Sequence, residues 1–148
     1  MNIKTIPYIF PQGVTTITRQ IGECLTDDDI NRVITQHQRG QWDINHPTVS
    51  VTDWLYLQGE NLDNTELADH PQAIAYGWNE EKLFDFVLNY QALRDWWNTG
   101  GNNAGRVLTS HRLIAVHHSQ VWVITEWIPE PHPNHPPILT TILFPSEY

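Results

Sequence analysis

Four histidines cluster late in the chain: His117 and His118 are adjacent, and His132 and His135 are spaced His-x-x-His. Imidazoles from a hairpin turn and a loop at one end of a sheet could together hold Zn, Ni or Cu. That chemistry supplies an alternative reading, a small metal-dependent enzyme using His117, His118, His132 and His135. Against it, the second pair lies in the run Pro129-Glu130-Pro131-His132-Pro133-Asn134-His135-Pro136-Pro137 rather than on a helix, and no cysteine pair accompanies it. The expected state is exposed loop histidines with no bound metal.

Nucleophilic catalysis needs a Ser or Thr beside a His and an orienting acid. Ser110-His111 and His118-Ser119 are neighbours in sequence, but successive residues of a strand point to opposite faces, so adjacency argues against either pair. No nucleophile-elbow, dinucleotide or phosphate-loop pattern is present. The Gly100-Gly101-Asn102-Asn103-Ala104-Gly105 connector runs from helix to strand, the reverse of the order that aims a helix amino terminus at phosphate. Glu126 sits in mid-strand, where an ion pair with Arg106 or Arg112 of the neighbouring strand is expected before a general acid. The single cysteine, Cys24, follows Ile17 and Ile21 at helical spacing and is expected as a packed thiol. No catalytic residue is assigned and no cofactor is expected.

Positioning falls to a small number of elements. RVLTSHRLIAV, VWVITEW and ILTTILFPSEY are rich in β-branched and aromatic residues and bounded by breakers, which predicts three strands. The short link between the first two requires antiparallel neighbours, so 105–148 is expected to form an antiparallel β-meander. Val121, Val123 and Thr125 alternate with Trp122, Ile124 and Glu126, so both faces are partly apolar and both are expected to be covered, one by helices and the other by an insertion or second subunit. Thr26 followed by three aspartates caps a helix from Asp27 to about Gln38, with Ile30, Val33, Ile34 and His37 on one face and Gly40 as its stop. Asn79 opens the longest helix, its apolar stripe running through Leu83, Phe86, Val87, Tyr90, Leu93 and Trp97. Between them the pattern is mixed: Val49, Val51, Leu55 and Leu57 alternate as in a strand or hairpin arm, Asn64 to Asp69 suits one helical turn, and Pro71 ends it. Residues 1–13 suggest an extended arm, with a short strand at Val14 to Thr16 and a helical turn through Cys24. The whole predicts one α+β domain over 1–148: a carboxyl-terminal three-stranded meander packed against two main helices, with a segment at about 44–78 inserted between them.

The chain has 148 residues, enough for one domain with a core that needs no staples. Eight Lys plus Arg against seventeen Asp plus Glu give a formal charge of −9, which disfavours direct nucleic-acid binding and mildly favours basic partners. There is no apolar run long enough to span a membrane and no secretory signal at the amino terminus, so a cytoplasmic location is expected.

Several separated stretches together resemble a family of small, mostly uncharacterised proteins of bacterial plasmids, integrative elements and phages. They are Gly13 with Thr16 or Thr18; His37, Gly40 and Trp42; Asp85, Asn89 and Leu93; Arg106-Val107-Leu108-Thr109; Trp122-Val123-Ile124-Thr125-Glu126; and Thr140-Thr141-Ile142-Leu143-Phe144-Pro145-Ser146-Glu147-Tyr148. The resemblance covers about half the chain and implies an α+β fold on a mobile element, without an established reaction. Relative to that pattern the chain is enlarged after Trp42, around Trp96 to Ala104, and by the Pro/His loop.

Trp54, Tyr56, Trp78, Trp96 and Trp127, with Glu130, fall in or beside those enlargements. Exposed Trp and Tyr dominate interface energetics, so these are the candidate partner-binding residues. The expected function is a non-enzymatic interaction protein of a mobile element, a counter-defence inhibitor of the anti-CRISPR or anti-restriction kind that binds a host defence complex. Self-association as a structural homo-oligomer is a further alternative.

Overall fold

The computed structural model describes residues 13–59, 61–113, 120–128 and 137–148. The amino-terminal arm, the histidines His117, His118, His132 and His135, and Glu130 lie outside the described residues. The described elements form a mixed α+β fold of six helices on a four-stranded sheet.

The sheet is built from β1 (Val14–Ile17), β2 (Gly105–Arg112), β3 (Gln120–Trp127) and β4 (Ile138–Leu143), in the order β1-β4-β3-β2. Strands β2, β3 and β4 run antiparallel, as the short link between the first two requires. The expected three-stranded meander is nevertheless incomplete, because β1 adds to β4 in parallel, pairing Val14 with Leu139 through Ile17 with Ile142. Gly13 makes this approach possible. Its φ is 64°, and a Cβ there would stand 2.3 Å from the carbonyl oxygen of Ile138, so only glycine admits the chain at this point.

The helices are α1 (Arg19–Cys24), α2 (Asp27–Gln38), α3 (Val51–Gln58), α4 (Asn64–Ala68), α5 (Pro71–Tyr76) and α6 (Glu80–Thr99). Helix α2 starts as its sequence demands: the Thr26 hydroxyl accepts from Asp29 N–H and the Asp29 carboxylate accepts from Thr26 N–H. Helix α6 starts where Asn79 Oδ1 accepts from Lys82 N–H at 2.8 Å, and buries Leu83, Phe86, Val87, Tyr90 and Leu93.

Three local expectations are corrected. Val49, Val51, Leu55 and Leu57 do not form a strand; Ser50 caps α3, whose buried residues Val51, Trp54 and Leu55 have helical spacing while Leu57 is 61 % exposed. Pro71 begins α5 rather than ending α4, since a first helical residue needs no N–H partner and His70 supplies the cap. Cys24 is exposed rather than packed, the apolar face of α1 being taken by Ile21.

Along the sheet, Val107, Thr109 and His111 share a face with Val121, Val123, Thr125 and Trp127 and with Thr140 and Ile142, and all are buried. Two apolar clusters cover it. One joins Ile21, Leu25, Val33 and Ile34 to Val121, Val123 and Ile142; the other joins Trp42, α3, Leu67, Trp78 and α6 to Val107 and Trp127. The 44–78 segment thus packs on the same face as α2, not on the opposite one. The second face instead receives a 3-10 turn (Pro145–Glu147), after which Tyr148 meets Trp122 edge-on with ring centroids 5.3 Å apart. No helix among the described residues is long and apolar enough to cross a membrane.

Candidate functional site

Two constellations of polar side chains are brought together by this fold. The first is buried. His37, on the inner face of α2, reaches Thr109 Oγ1 with Nδ1 at 2.6 Å and Thr125 Oγ1 with Nε2 at 2.8 Å. Thr109 Oγ1 lies 2.6 Å from His111 Nε2, His111 Nδ1 lies 3.1 Å from Gln36 Oε1, and Thr125 Oγ1 lies 2.8 Å from Thr140 Oγ1. One assignment of protons satisfies every link. His111 donates from Nδ1 to the Gln36 carbonyl and accepts the Thr109 proton at Nε2. His37 donates from Nδ1 to Thr109 and accepts the Thr125 proton at Nε2, and Thr140 donates to Thr125. Both imidazoles are then neutral. Burial pushes the His37 pKa well below its ordinary value, helped by His111, and burial with the Arg32 charge lowers His111 to about 3. This polar layer lies on the sheet face between the two apolar clusters, its His37, Thr109, His111, Thr125 and Thr140 side chains buried.

The second constellation is open. Helix α6 lies along the outer edge of β2, where the Asn89 carboxamide takes the place of a fifth strand: Nδ2 donates to the Leu108 carbonyl at 2.9 Å and Oδ1 accepts from Leu108 N–H at 3.3 Å. An edge strand that would otherwise offer bare backbone groups is closed at that rung by a side chain. Beside this contact runs a groove of about 510 Å³, within the size range of ligand sites. Its apolar lining includes Trp42, Phe86, Leu88, Leu108 and Trp122, and its polar lining includes Lys82, Asp85, Arg106 and Ser110.

Each polar group has a traceable position. Asp43 is buried and accepts from Lys82 Nζ at 2.7 Å, from the Trp78 indole N–H, and from Asn45 N–H at 2.9 Å. Burial alone would raise its pKa; the hydrogen bonds from Lys82 and Trp78 more than offset this and hold the carboxyl below the usual range. Lys82 is therefore already engaged. Arg106 stands opposite Glu126 in the ladder, yet its guanidinium donates to the Tyr148 hydroxyl at 2.9 Å, and the expected Arg–Glu126 ion pair is not among the ion pairs of the described residues. Tyr148 is placed in turn by Glu147, whose Oε1 accepts from Phe144 N–H and from the Thr18 hydroxyl, both at 2.9 Å. Asp85 has no ion-pair or hydrogen-bond partner among the described residues, and partial burial together with the Glu81 charge raises its pKa.

The aromatic candidates separate sharply. Trp54, Trp78 and Trp127 are each 3 % exposed, so these rings belong to the core and present no surface to a partner. Trp54 and Trp78 pack against each other with centroids 5.3 Å apart. Trp96 is half-buried, packed beside Gly101, and Tyr56 faces outward on α3 with Leu57. Ser110 and His111 point to opposite faces, Ser110 outward to Gln120 and His111 into the buried layer, as strand alternation demands. The groove is not marked by any single motif of the sequence. Its clue was available: Trp42, Asp85, Asn89, Arg106, Leu108 and Trp122 all belong to the stretches that carry the family resemblance, and they converge here from four separated parts of the chain.

Comparison of the chain with family models, with characterised proteins and with solved structures finds no match.

Proposed function

We infer that the protein is a non-enzymatic binding protein that seats a segment of a partner protein in the groove between α6 and β2. The observation that supports this reading is the convergence there of an apolar floor, an exposed Leu88 on the rim, and two charged side chains, Asp85 and Arg106, that do not pair with each other. Phe84, one turn before Leu88 on α6, is 51 % exposed and extends the apolar rim along the helix. Apolar side chains ringed by polar ones are the usual anatomy of an interface patch. The sequence resemblance suggests the setting, a mobile element, and the partner proposed for it is a component of a host defence complex.

The test is retention of a partner from bacterial lysate by the immobilised wild-type chain, by Leu88→Glu in the groove, and by Leu57→Glu on α3. Both positions are exposed, so both variants are expected to fold. Retention by wild type and Leu57→Glu with loss in Leu88→Glu supports the groove; loss in Leu57→Glu alone moves the interface to the 44–78 segment and contradicts it.

A further inference from the structure

Resting on the docking reading above, we propose that the occupant of the groove is an extended peptide segment bearing one acidic and one basic side chain, the carboxylate meeting Arg106 and the cation meeting Asp85. The two residues stand on opposite walls, Asp85 on α6 and Arg106 on β2. The remaining charged residue of the groove lining is committed elsewhere, Lys82 to Asp43. An acid and a base facing one cleft without neutralising each other are complementary to a dipolar ligand and mismatched to a uniformly charged one.

The geometry favours each half of such a ligand. Arg106 has five N–H donors, one of which goes to Tyr148, so the guanidinium is oriented while its remaining donors are available for a carboxylate fork. On the other wall Glu81 adds a second negative charge near Asp85, which strengthens the pull on a cation and repels a second carboxylate. Between them Leu88, Leu108 and Trp122 offer apolar surface to the aliphatic stems of the arriving side chains.

The edge strand argues for an extended backbone. Because the Leu108 N–H and carbonyl point outward to Asn89, strand alternation points those of Ser110 outward as well. The Arg112 carbonyl further on is taken by Arg32 at 3.2 Å. The Ser110 rung thus faces an incoming backbone beside the groove, and an extended chain places alternate side chains on one face. Acidic and basic residues two apart would both face the groove.

The probe is the blocked peptide acetyl-Ala-Lys-Leu-Glu-Ala-amide, compared with acetyl-Ala-Gln-Leu-Gln-Ala-amide, titrated onto nitrogen-15-labelled protein. Saturable shifts at the Trp122 indole N–H, the Asn89 carboxamide and the Ser110 amide are expected for the charged peptide. Asp85→Asn and Arg106→Gln, both at exposed positions, are each expected to weaken it about five-fold, as are high salt and the neutral peptide. Equal binding of both peptides, binding indifferent to both substitutions, or no shift at these groups overturns the proposal. If lysate capture remains sensitive to Leu88→Glu while charge has no effect, the dipolar ligand fails and the docking groove stands. If neither effect is seen, both fail.

Discussion

At the scale of single residues, the chain's most consequential polar group is His37. From the sequence it was legible as a histidine on the apolar face of a helix, but its partners were not, because which threonines it meets depends on how α2 is laid across the sheet. Replacing His37 by Leu removes its hydrogen bonds to the buried Thr109 and Thr125 hydroxyls, which keep His111 and Thr140, and a loss of about 2 kcal/mol is expected from the two bonds, read by chemical denaturation. Thr125→Val, which breaks the links to both His37 and Thr140, should cost about 2 kcal/mol. The pH dependence has a defined sign. His37 and His111 have folded pKa values below the unfolded value near 6.5, so the unfolded chain binds more protons and stability rises with pH. Their contribution is complete above about pH 6.5 and is lost as pH falls toward the His111 value of about 3. The denaturation midpoint is therefore expected to drop between pH 7.5 and 5, and to drop less in a His111→Gln variant. Asp43, with its pKa lowered, acts in a lower window: its stabilisation is present above about pH 4 and lost below it.

At the scale of elements, the strongly patterned ones declared themselves. Thr26 with its aspartates and Asn79 with its glutamates fixed the starts of α2 and α6, because capping is a local interaction. Helix α3 did not, since Val49, Val51, Leu55 and Leu57 satisfy strand alternation while Val51, Trp54 and Leu55 satisfy helical spacing; burial of Trp54 against Trp78 decides between them. Strand β1 was visible in sequence as Val14 to Thr16, one residue short of the observed Val14–Ile17, but its parallel pairing with β4 joins residues more than 120 positions apart and left no local trace. Gly13 is the exception that sequence could have flagged. Gly13→Val forces a side chain into Ile138 at a positive φ, and β1 is expected to detach, seen as rapid amide exchange in the strand. At the opposite edge, Asn89→Leu removes both hydrogen bonds to Leu108 and should destabilise by about 1–2 kcal/mol while exposing the β2 edge to exchange.

At the scale of the whole molecule, the motif stretches and the enlargements exchange the roles that the sequence suggested for them. Residues that read as scaffold, Trp42, Asp85, Asn89, Arg106 and Trp122, line the open groove, whereas Trp54, Trp78 and Trp127 are core. The reason is geometric: a groove formed where a helix covers a sheet edge draws its residues from elements far apart in sequence, and no spacing rule records it. Asp43 links the two halves, binding Trp78 at the end of the 44–78 segment and Lys82 of α6. Asp43→Ala should cost about 3 kcal/mol, at the low end for a broken buried pair because Lys82 can turn to solvent. We propose that partners are bound at this groove rather than at the 44–78 segment. This is tested most directly by placing a photoreactive benzophenone side chain at position 88 and, separately, at position 57, and irradiating each in bacterial lysate. A discrete crosslinked partner from position 88 and none from position 57 is the predicted result; a crosslink from position 57 alone would contradict it.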